Sequence, residues 1–287
     1  MTGEKLGWRG RLLRRKLAGQ LDGVSWLALG RHVLPARMGG RSGAGPVLPD
    51  APTPAAYVLA DGIETFATGW GPFSIPAPGA GVLAGLLGEV MLADAYANDA
   101  VGVRPGDVVL DCGAHVGVFS RHALARGAGR VIALELDGAN LRCLEANLAS
   151  HGDRAVCRAA ALWSKPAIVQ RTRARDSDCH AVHAPDGSDG ESLRATTIDR
   201  VIAELAPARL DFLKMDLEGA EAEALAGALA TLRRYRPRLA IATYHDAREE
   251  SGIRALLRAH GVAYDFSYRW LVADAPFVLF GRPHNGA

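Results

Sequence analysis

The alternation of apolar strands with amphipathic helices constrains the fold of this chain most. Between residues 107 and 260, short apolar runs alternate with segments whose apolar residues recur at helical spacing. Such strands are typical of a parallel sheet covered by helices on both faces, so the sequence predicts a doubly wound α/β fold. The predicted strands lie at 107–112, 130–136, 155–163, 211–219, 237–245, 263–271 and 276–281.

Four other segments complete the prediction. Aromatic and β-branched residues with frequent glycines at 57–75 predict short strands or a hairpin, and residues 79–98 and 220–235 each predict one helix. Residues 172–195 are polar and rich in Gly and Asp, which predicts a long loop. Long loops inside compact domains are usually functional or disordered.

The near-neutral charge conceals a basic N-terminal segment. The 287 residues carry 33 Lys and Arg against 31 Asp and Glu, too small an excess to indicate nucleic-acid binding. Residues 1–45 alone hold nine basic and two acidic side chains. We predict an N-terminal helical extension with its linker over residues 1–50 and one main domain over residues 51–287. The extension packs on the domain or is solvated, or it contacts an anionic membrane or a partner protein.

Cysteine spacing and hydropathy favour a cytoplasmic protein. The four cysteines are widely separated and form no C-x-x-C pair, which favours reduced thiols. No apolar run reaches the roughly 18 residues that a membrane-spanning helix needs, and no signal peptide is predicted. Peripheral attachment to a membrane through residues 1–45 stays open.

The residues that follow each predicted strand are the candidate site residues, because ligands of doubly wound sheets bind beyond the carboxyl ends of the strands. The first strand runs into DCGAHVG at 111–117, where glycines let the backbone approach a ligand and start a helix. This spacing is not G-x-G-x-x-G, so a dinucleotide is disfavoured. It suits S-adenosylmethionine, although a turn of this kind can also be purely structural.

The next two strands end in residues suited to a nucleoside. Glu135 follows Gly113 by 22 positions and closes the second strand, where a carboxylate can accept hydrogen bonds from both ribose hydroxyls. Small apolar residues at Ala160 and Ala161 close the third strand and could flank an adenine ring.

Acids and a histidine follow the fourth and fifth strands. Strand alternation places Asp216 and Glu218 on one face, where they could hold the positive end of the cofactor, act as a base or bind Mg²⁺. Their alternative role is to begin the next helix, whose dipole favours acids. His245 is a candidate general base, with a structural histidine as the alternative.

These blocks resemble the FkbM-type S-adenosylmethionine-dependent methyltransferases over about residues 85–285. The most specific block is K-x-D-x-E-G-A-E at 214–221; the others are VVLDCGAHVGVFS, VIALEL, AAALWS, TTIDRVI and PRLAIATYH. The resemblance implies a class I methyltransferase fold, Rossmann-like, with a seven-stranded and mostly parallel sheet. It also implies methylation of hydroxyl oxygens on natural products, sugars or glycans.

The resemblance also implies a set of site residues. Asp216 and Glu218 would line the active site beside the candidate base His245, and His115 stands where the family commonly has Asn. The expected cofactor-binding residues are Asp111, Gly113, Ala114, His115, Gly117, Glu135, Leu136, Ala160, Ala161 and Asp216.

The sequence therefore predicts an O-methyltransferase acting on a small molecule, sugar or glycan, without a nucleic-acid partner. The alternatives are an N-methyltransferase acting on an amine or peptide, and a non-catalytic cofactor-binding module anchored by its basic N-terminus. An NAD-dependent oxidoreductase is opposed by the glycine pattern. We expect acceptor specificity to lie in residues 57–80 and 172–195.

Overall fold

The computed structural model describes residues 55–60, 62–173, 180–185, 190–243, 249–270 and 277–284. The predicted helical extension, its membrane or partner contact, and His245 lie outside the described residues. Within these ranges no helix has the length and apolar character needed to cross a bilayer.

Fourteen strands are described, in three sheets. They are β1 (Ala55–Ala60), β2 (Ile63–Thr68), β3 (Gly71–Pro76), β4 (Val108–Cys112), β5 (Arg130–Glu135), β6 (Ala155–Ala159), β7 (Ala161–Leu162), β8 (Ala167–Arg173), β9 (His180–His183), β10 (Glu191–Thr196), β11 (Phe212–Met215), β12 (Arg238–Ala242), β13 (Tyr264–Trp270) and β14 (Phe277–Pro283).

The helices pack around these sheets. They are α1 (Ala80–Leu86), which continues into a π-helical turn (Leu87–Leu92), then α2 (Val118–Ala125), α3 (Gly138–Leu148), α4 (Ile198–Leu205), α5 (Glu221–Ala226), α6 (Leu229–Tyr235) and α7 (Glu249–Ala259). A 3₁₀ segment (Ala149–Arg154) follows α3.

The central sheet has seven strands in the order β13-β14-β12-β11-β4-β5-β6. Five strands, from β12 to β6, pair in parallel, whereas β14 is antiparallel to both of its neighbours. The predicted class I fold, with its seven-stranded and mostly parallel sheet, is therefore confirmed. Separate apolar clusters cover the two faces, as continuous apolar strands require.

Side-chain caps begin two of the helices. The Asp137 carboxylate accepts hydrogen bonds from the Ala139 and Asn140 amides at the start of α3. The Thr197 hydroxyl accepts one from the Arg200 amide at the start of α4. Both satisfy amides that have no partner inside their own helix.

The prediction of a loop over 172–195 is wrong at residues 180–183 and 191–195, which the structure describes as strands. β8, β9 and β10 form a small sheet with β7, in the order β7-β10-β8-β9. Its buried residues Val169, Val182 and Ala195 pack with Ala220, far away in the sequence, so local composition gave little sign of a strand. The predicted third strand over 155–163 is consequently divided, because residues 161–162 pair with β10 instead of continuing β6.

Two predicted helices also differ in extent. The helix predicted over 79–98 ends with the π-helical turn at Leu92, and the one predicted over 220–235 divides into α5 and α6. Gly227 lies at that division, where an added Cβ would be 2.2 Å from the carbonyl oxygen of Trp163. A close approach between backbones therefore interrupts the helix. The strands predicted over 57–75 are confirmed as the antiparallel sheet β1-β2-β3.

Candidate active site

A cavity opens beyond the carboxyl ends of β11, β4 and β5. It encloses about 980 Å³, part of it open to solvent. Asp111, Gly117 and Ala161 do not line it. Of the predicted site residues, those on its wall are Gly113, Ala114, His115, Glu135, Leu136, Ala160, Asp216 and Glu218.

The turn after β4 depends on left-handed backbone. Gly113 has a φ of +77°, and a Cβ there would be 1.9 Å from the Asp216 carbonyl oxygen, so glycine lets β4 and β11 end close together. His115 is also left-handed, with a φ of 51°. Asn and His both tolerate this conformation better than most residues, which accounts for His where the family commonly has Asn.

Glu135 is a buried carboxylate held by backbone amides. It is 7% exposed, and its Oε2 and Oε1 accept hydrogen bonds of 2.8 Å from the amides of His115 and Asp137. Burial raises the pKa of Glu135, although the two amides act to lower it. The carboxylate is thus fixed in orientation and keeps lone pairs for a hydroxyl ligand.

Asp111 faces the protein interior, not the cavity. It is fully buried, its Oδ2 accepts a 2.7 Å hydrogen bond from the Ser120 hydroxyl, and its Oδ1 lies 3.2 Å from Lys214 Nζ. Lys214 also donates a 2.7 Å hydrogen bond to the Gly113 carbonyl. Asp111 therefore supports the turn after β4 indirectly, by holding Lys214 in place. Direct contact of Asp111 with a cofactor stays a prediction.

Lys214 is a buried cation between carboxylates and aromatic rings. Burial acts to lower the pKa of Lys214, but Asp111 and Asp216 outweigh it and the net pKa is raised. Its Nζ lies 5.3 Å from the centroid of the Tyr96 ring and 6.0 Å from that of Phe119. Lys214 is therefore protonated at neutral pH.

Tyr96 is a cavity residue that the sequence did not single out. It is 5% exposed, and its hydroxyl donates a 2.8 Å hydrogen bond to Asp216 Oδ2. It follows the π-helical turn, in a stretch without a recognisable motif. Its contact with Asp216 joins two segments that are 120 residues apart.

The predicted placement of Asp216 and Glu218 on one face of a strand is wrong, because β11 ends at Met215. Both residues belong to a loop in which Glu218 has a φ of 54°. The buried carboxylate of Glu221 shapes this loop by accepting hydrogen bonds of 2.6 Å from Leu217 N and 3.0 Å from Gly219 N. The loop, not strand alternation, brings both acids to the cavity wall.

Glu89, on the π-helical turn, is a fourth carboxylate on the cavity wall, besides Glu135, Asp216 and Glu218. Burial, followed by the negative charge of Asp216, raises the pKa of Glu89 to about 7; Glu218 also raises it, and Lys214 acts to lower it. Burial and Lys214 lower the pKa of His115, which also lines the cavity, to about 4, so its imidazole is neutral at pH 7. No sequence pattern distinguished Glu89 from a helix-surface residue.

We expect Glu89→Gln to stabilise the protein at high pH. Between the unfolded pKa of 4.5 and the folded pKa of about 7, the folded state retains a proton that the unfolded chain has lost, so stability falls as pH rises through this window. The variant should gain about 2–3 kcal/mol over wild type near pH 8 and under about 1 kcal/mol near pH 5. Urea unfolding at both pH values measures this, and an equal gain at both would contradict it.

The small sheet is attached to the cavity through Asp137. Arg171 of β8 donates a 2.7 Å hydrogen bond to Asp137 Oδ2, and the Asp137 amide in turn donates to Glu135. Leu136 and Leu217, both on the cavity wall, pack against the apolar cluster of the same sheet. The small sheet therefore supports one side of the cavity.

The described residues contain no group of three or more His, Cys, Asp or Glu side chains that could hold a metal ion. The predicted Mg²⁺ site at Asp216 and Glu218 thus has no support from this part of the chain.

Comparison with known families assigns the chain. A family model described as the methyltransferase FkbM domain matches residues 111–264, more than half of the sequence. The chain belongs to the FkbM methyltransferase family. The resemblance of the sequence blocks is confirmed, and the protein is an enzyme, an S-adenosylmethionine-dependent methyltransferase.

Relatives of this FkbM-family enzyme differ widely in length. The 31-O-demethyl-FK506 methyltransferase FkbM of Streptomyces tacrolimicus is 28% identical over an alignment of 206 residues, and the match covers 60% of this chain and 79% of that protein. The AMB antimetabolite synthetase AmbE of Pseudomonas aeruginosa is 25% identical over 222 residues, but the match spans 10% of its length.

A solved structure, methyltransferase FkbM from Methylobacillus flagellatus KT, superposes with a TM-score of 0.49 at 20% identity. The match covers 70% of this chain and 53% of that one, so the chain spans about half the length of the solved protein.

Proposed function

We propose that this FkbM-family methyltransferase is an O-methyltransferase that acts on a hydroxyl of a small molecule, sugar or glycan. The observation that carries the proposal is that the cavity wall has carboxylates in two separate places. The buried carboxylate of Glu135 lies beyond β5, and Asp216 and Glu218 lie beyond β11, on the other side of β4. The name of the Streptomyces relative, a methyltransferase of 31-O-demethyl-FK506, supports oxygen as the methylated atom.

The residues of the wall fit S-adenosylmethionine. The buried Glu135 carboxylate, fixed by two amides, would accept hydrogen bonds from the ribose hydroxyls. Gly113 lets the ends of β4 and β11 come together, which would place the turn after β4 beside the cofactor. Leu136 and Ala160 would flank the adenine, and the Asp216 carboxylate would hold the positively charged end.

The bound cofactor supplies an electrophilic methyl group on a sulfonium. The chain must therefore position a hydroxyl in line with that group, and a well-oriented pair gains several kcal/mol, up to about 7–11, from proximity. An alcohol is a weak nucleophile until its proton leaves, so a carboxylate beside it contributes to the rate. The acidic wall provides such carboxylates.

Transfer of a labelled methyl group tests this function. The full chain is incubated with methyl-labelled S-adenosylmethionine and either 31-O-demethyl-FK506 or a panel of monosaccharides and glycans, and the methylated atom is identified by mass spectrometry and NMR. An O-methyl product supports the proposal, whereas a product methylated on nitrogen favours the N-methyltransferase alternative. Repeating the assay after exhaustive chelation tests the Mg²⁺ prediction. Unchanged activity would show that the prediction is wrong.

Glu135→Gln should weaken binding of both S-adenosylmethionine and S-adenosylhomocysteine by about 10–100-fold. The amide would lose the charge, and its NH₂ would oppose an N–H donor of His115 or Asp137, at a cost of about 1.5–3 kcal/mol. Isothermal titration calorimetry measures the two affinities. The exposed Glu145 of α3 provides the control, since Glu145→Gln should bind as wild type. Unchanged affinity in Glu135→Gln would contradict the ribose assignment.

A further inference from the structure

The backbone around Glu89 projects its side chain into the cavity. The Ala93 amide donates a 3.0 Å hydrogen bond to the Gly88 carbonyl, five residues earlier, which widens the last turn after α1. Such π-helical turns are frequent at functional sites. Leu87 and Val90, on either side of Glu89, are buried and anchor the turn. Glu89 is thus held in position by its neighbours.

The Glu89 carboxylate differs from those of Asp216, Glu135 and Glu221 in its hydrogen bonding. Asp216 accepts from the Tyr96 hydroxyl, and Glu135 and Glu221 each accept from two backbone amides. Within the described ranges, no side chain or amide donates a hydrogen bond to the carboxylate oxygens of Glu89; the Ala95 amide donates to its main-chain carbonyl. Its oxygens therefore remain available to accept one from a ligand in the cavity.

We propose that Glu89 accepts the proton of the acceptor hydroxyl during methyl transfer, an inference that rests on the O-methylation proposed above. The acceptor oxygen forms a bond to the methyl carbon, and the carbon–sulfur bond breaks with its electron pair remaining on sulfur, which leaves neutral S-adenosylhomocysteine. The hydroxyl proton passes to the Glu89 carboxylate and from there to solvent.

The charged groups that face Glu89 favour uptake and release of a proton by its carboxylate near neutral pH. Asp216 and Glu218, from the loop after β11, oppose its ionisation, and the buried ammonium of Lys214 favours it. On α2, which packs against the π-helical turn, His122 is paired at 2.9 Å with Asp94. The resulting pKa of about 7 is close to that of an effective general base, and a cationic ligand in the cavity would lower it.

Proton release on cofactor binding tests the inference without an acceptor. S-adenosylmethionine carries the sulfonium charge and S-adenosylhomocysteine does not. Calorimetric titration with each ligand, at about pH 7 in two buffers of different ionisation enthalpy, gives the number of protons released on binding. The difference between the two ligands is the proton release caused by the sulfonium charge. Wild type should release about 0.4 proton more with S-adenosylmethionine, because Glu89 is about half protonated at this pH. Glu89→Gln should reduce the difference below about 0.1 proton. A full difference in this variant would overturn the proposal.

Glu223→Gln is the matched control, because Glu223 is an exposed glutamate on α5 that does not line the cavity. It should release protons as wild type does. If Glu89→Gln fails to fold, wild type alone remains decisive: the difference between the two ligands should peak near pH 6–7 and vanish above about pH 9. A difference that does not depend on pH would overturn the proposal.

Kinetics provide the second arm, with the acceptor that the labelled-methyl assay identifies. Glu89→Gln should lower kcat by about 10²–10⁴-fold and abolish the rise of the rate through pH 6–7, while the Kd for S-adenosylmethionine at pH 7 rises by no more than about tenfold. If wild type methylates nitrogen, the proposed O-methylation fails and this inference fails with it. If wild type methylates oxygen and Glu89→Gln retains its rate, the inference alone fails.

Discussion

Replacing Lys214 with Met is expected to lower the free energy of unfolding by about 3–5 kcal/mol. Lys214 is 4% exposed and Asp111 is fully buried, so loss of the ammonium leaves the Asp111 charge in the interior without its cationic partner. The Gly113 carbonyl loses a hydrogen-bond donor at the same time. Met retains most of the apolar contacts of the lysine chain, so the loss reports the charge. Urea unfolding near neutral pH measures it.

Two further variants isolate the ion pair. Lys165→Met changes an exposed lysine and should alter stability by less than about 0.5 kcal/mol. Asp111→Asn combined with Lys214→Met removes both charges and should recover at least about 1 kcal/mol relative to Lys214→Met alone. A cost for Lys214→Met as small as that for Lys165→Met would show that the buried pair does not stabilise the fold.

Gly113→Ala is expected to destabilise the protein by about 2–5 kcal/mol and to weaken S-adenosylmethionine binding more than about tenfold. The left-handed φ of +77° disfavours any Cβ, and this Cβ would also lie 1.9 Å from the Asp216 carbonyl oxygen. Because that contact is with backbone, either β4 or β11 must move at its end, where the cavity opens. Urea unfolding and calorimetric titration measure the two effects.

Gly106 provides a control that separates the cost of the left-handed backbone conformation from the cost of the steric contact. Its φ is +82°, but a Cβ there would meet no atom within 4 Å. Gly106→Ala should therefore cost about 1–2 kcal/mol, from the backbone conformation alone, and should leave cofactor binding unchanged. If Gly113→Ala cost no more than Gly106→Ala, the close approach of the two strand ends would not restrict this position.

Features that depend on neighbouring residues in the chain were predictable. The apolar runs of β4, β5, β11 and β12 identified a parallel sheet, because burial on both faces leaves no alternation. The turn after β4 and the acid at Glu135 were found because each directly follows a strand. Family membership followed from the same blocks, which lie within or overlap the matched residues 111–264.

Features that depend on contacts between distant segments were not predictable from the sequence. Strands β9 and β10 of the small sheet were missed because the burial of its apolar residues is completed by Ala220, Leu136 and Leu217, which belong to other segments of the chain. The inward orientation of Asp111 follows from the register of β11 on β4, which pairs it with Lys214. Neither a strand pattern nor a motif contains that register.

The sequence by itself determined the fold class, the enzyme family and the edge of the sheet where the cofactor is expected, because apolar periodicity and glycine turns are local properties of a chain. The tertiary structure decided which side chains share the cavity. Glu89 and Tyr96 reach it from a segment without a motif, and Asp216 and Glu218 reach it through a loop rather than a strand face. Packing between segments more than a hundred residues apart brings these groups together, and charge and burial at that meeting point set the pKa of Glu89.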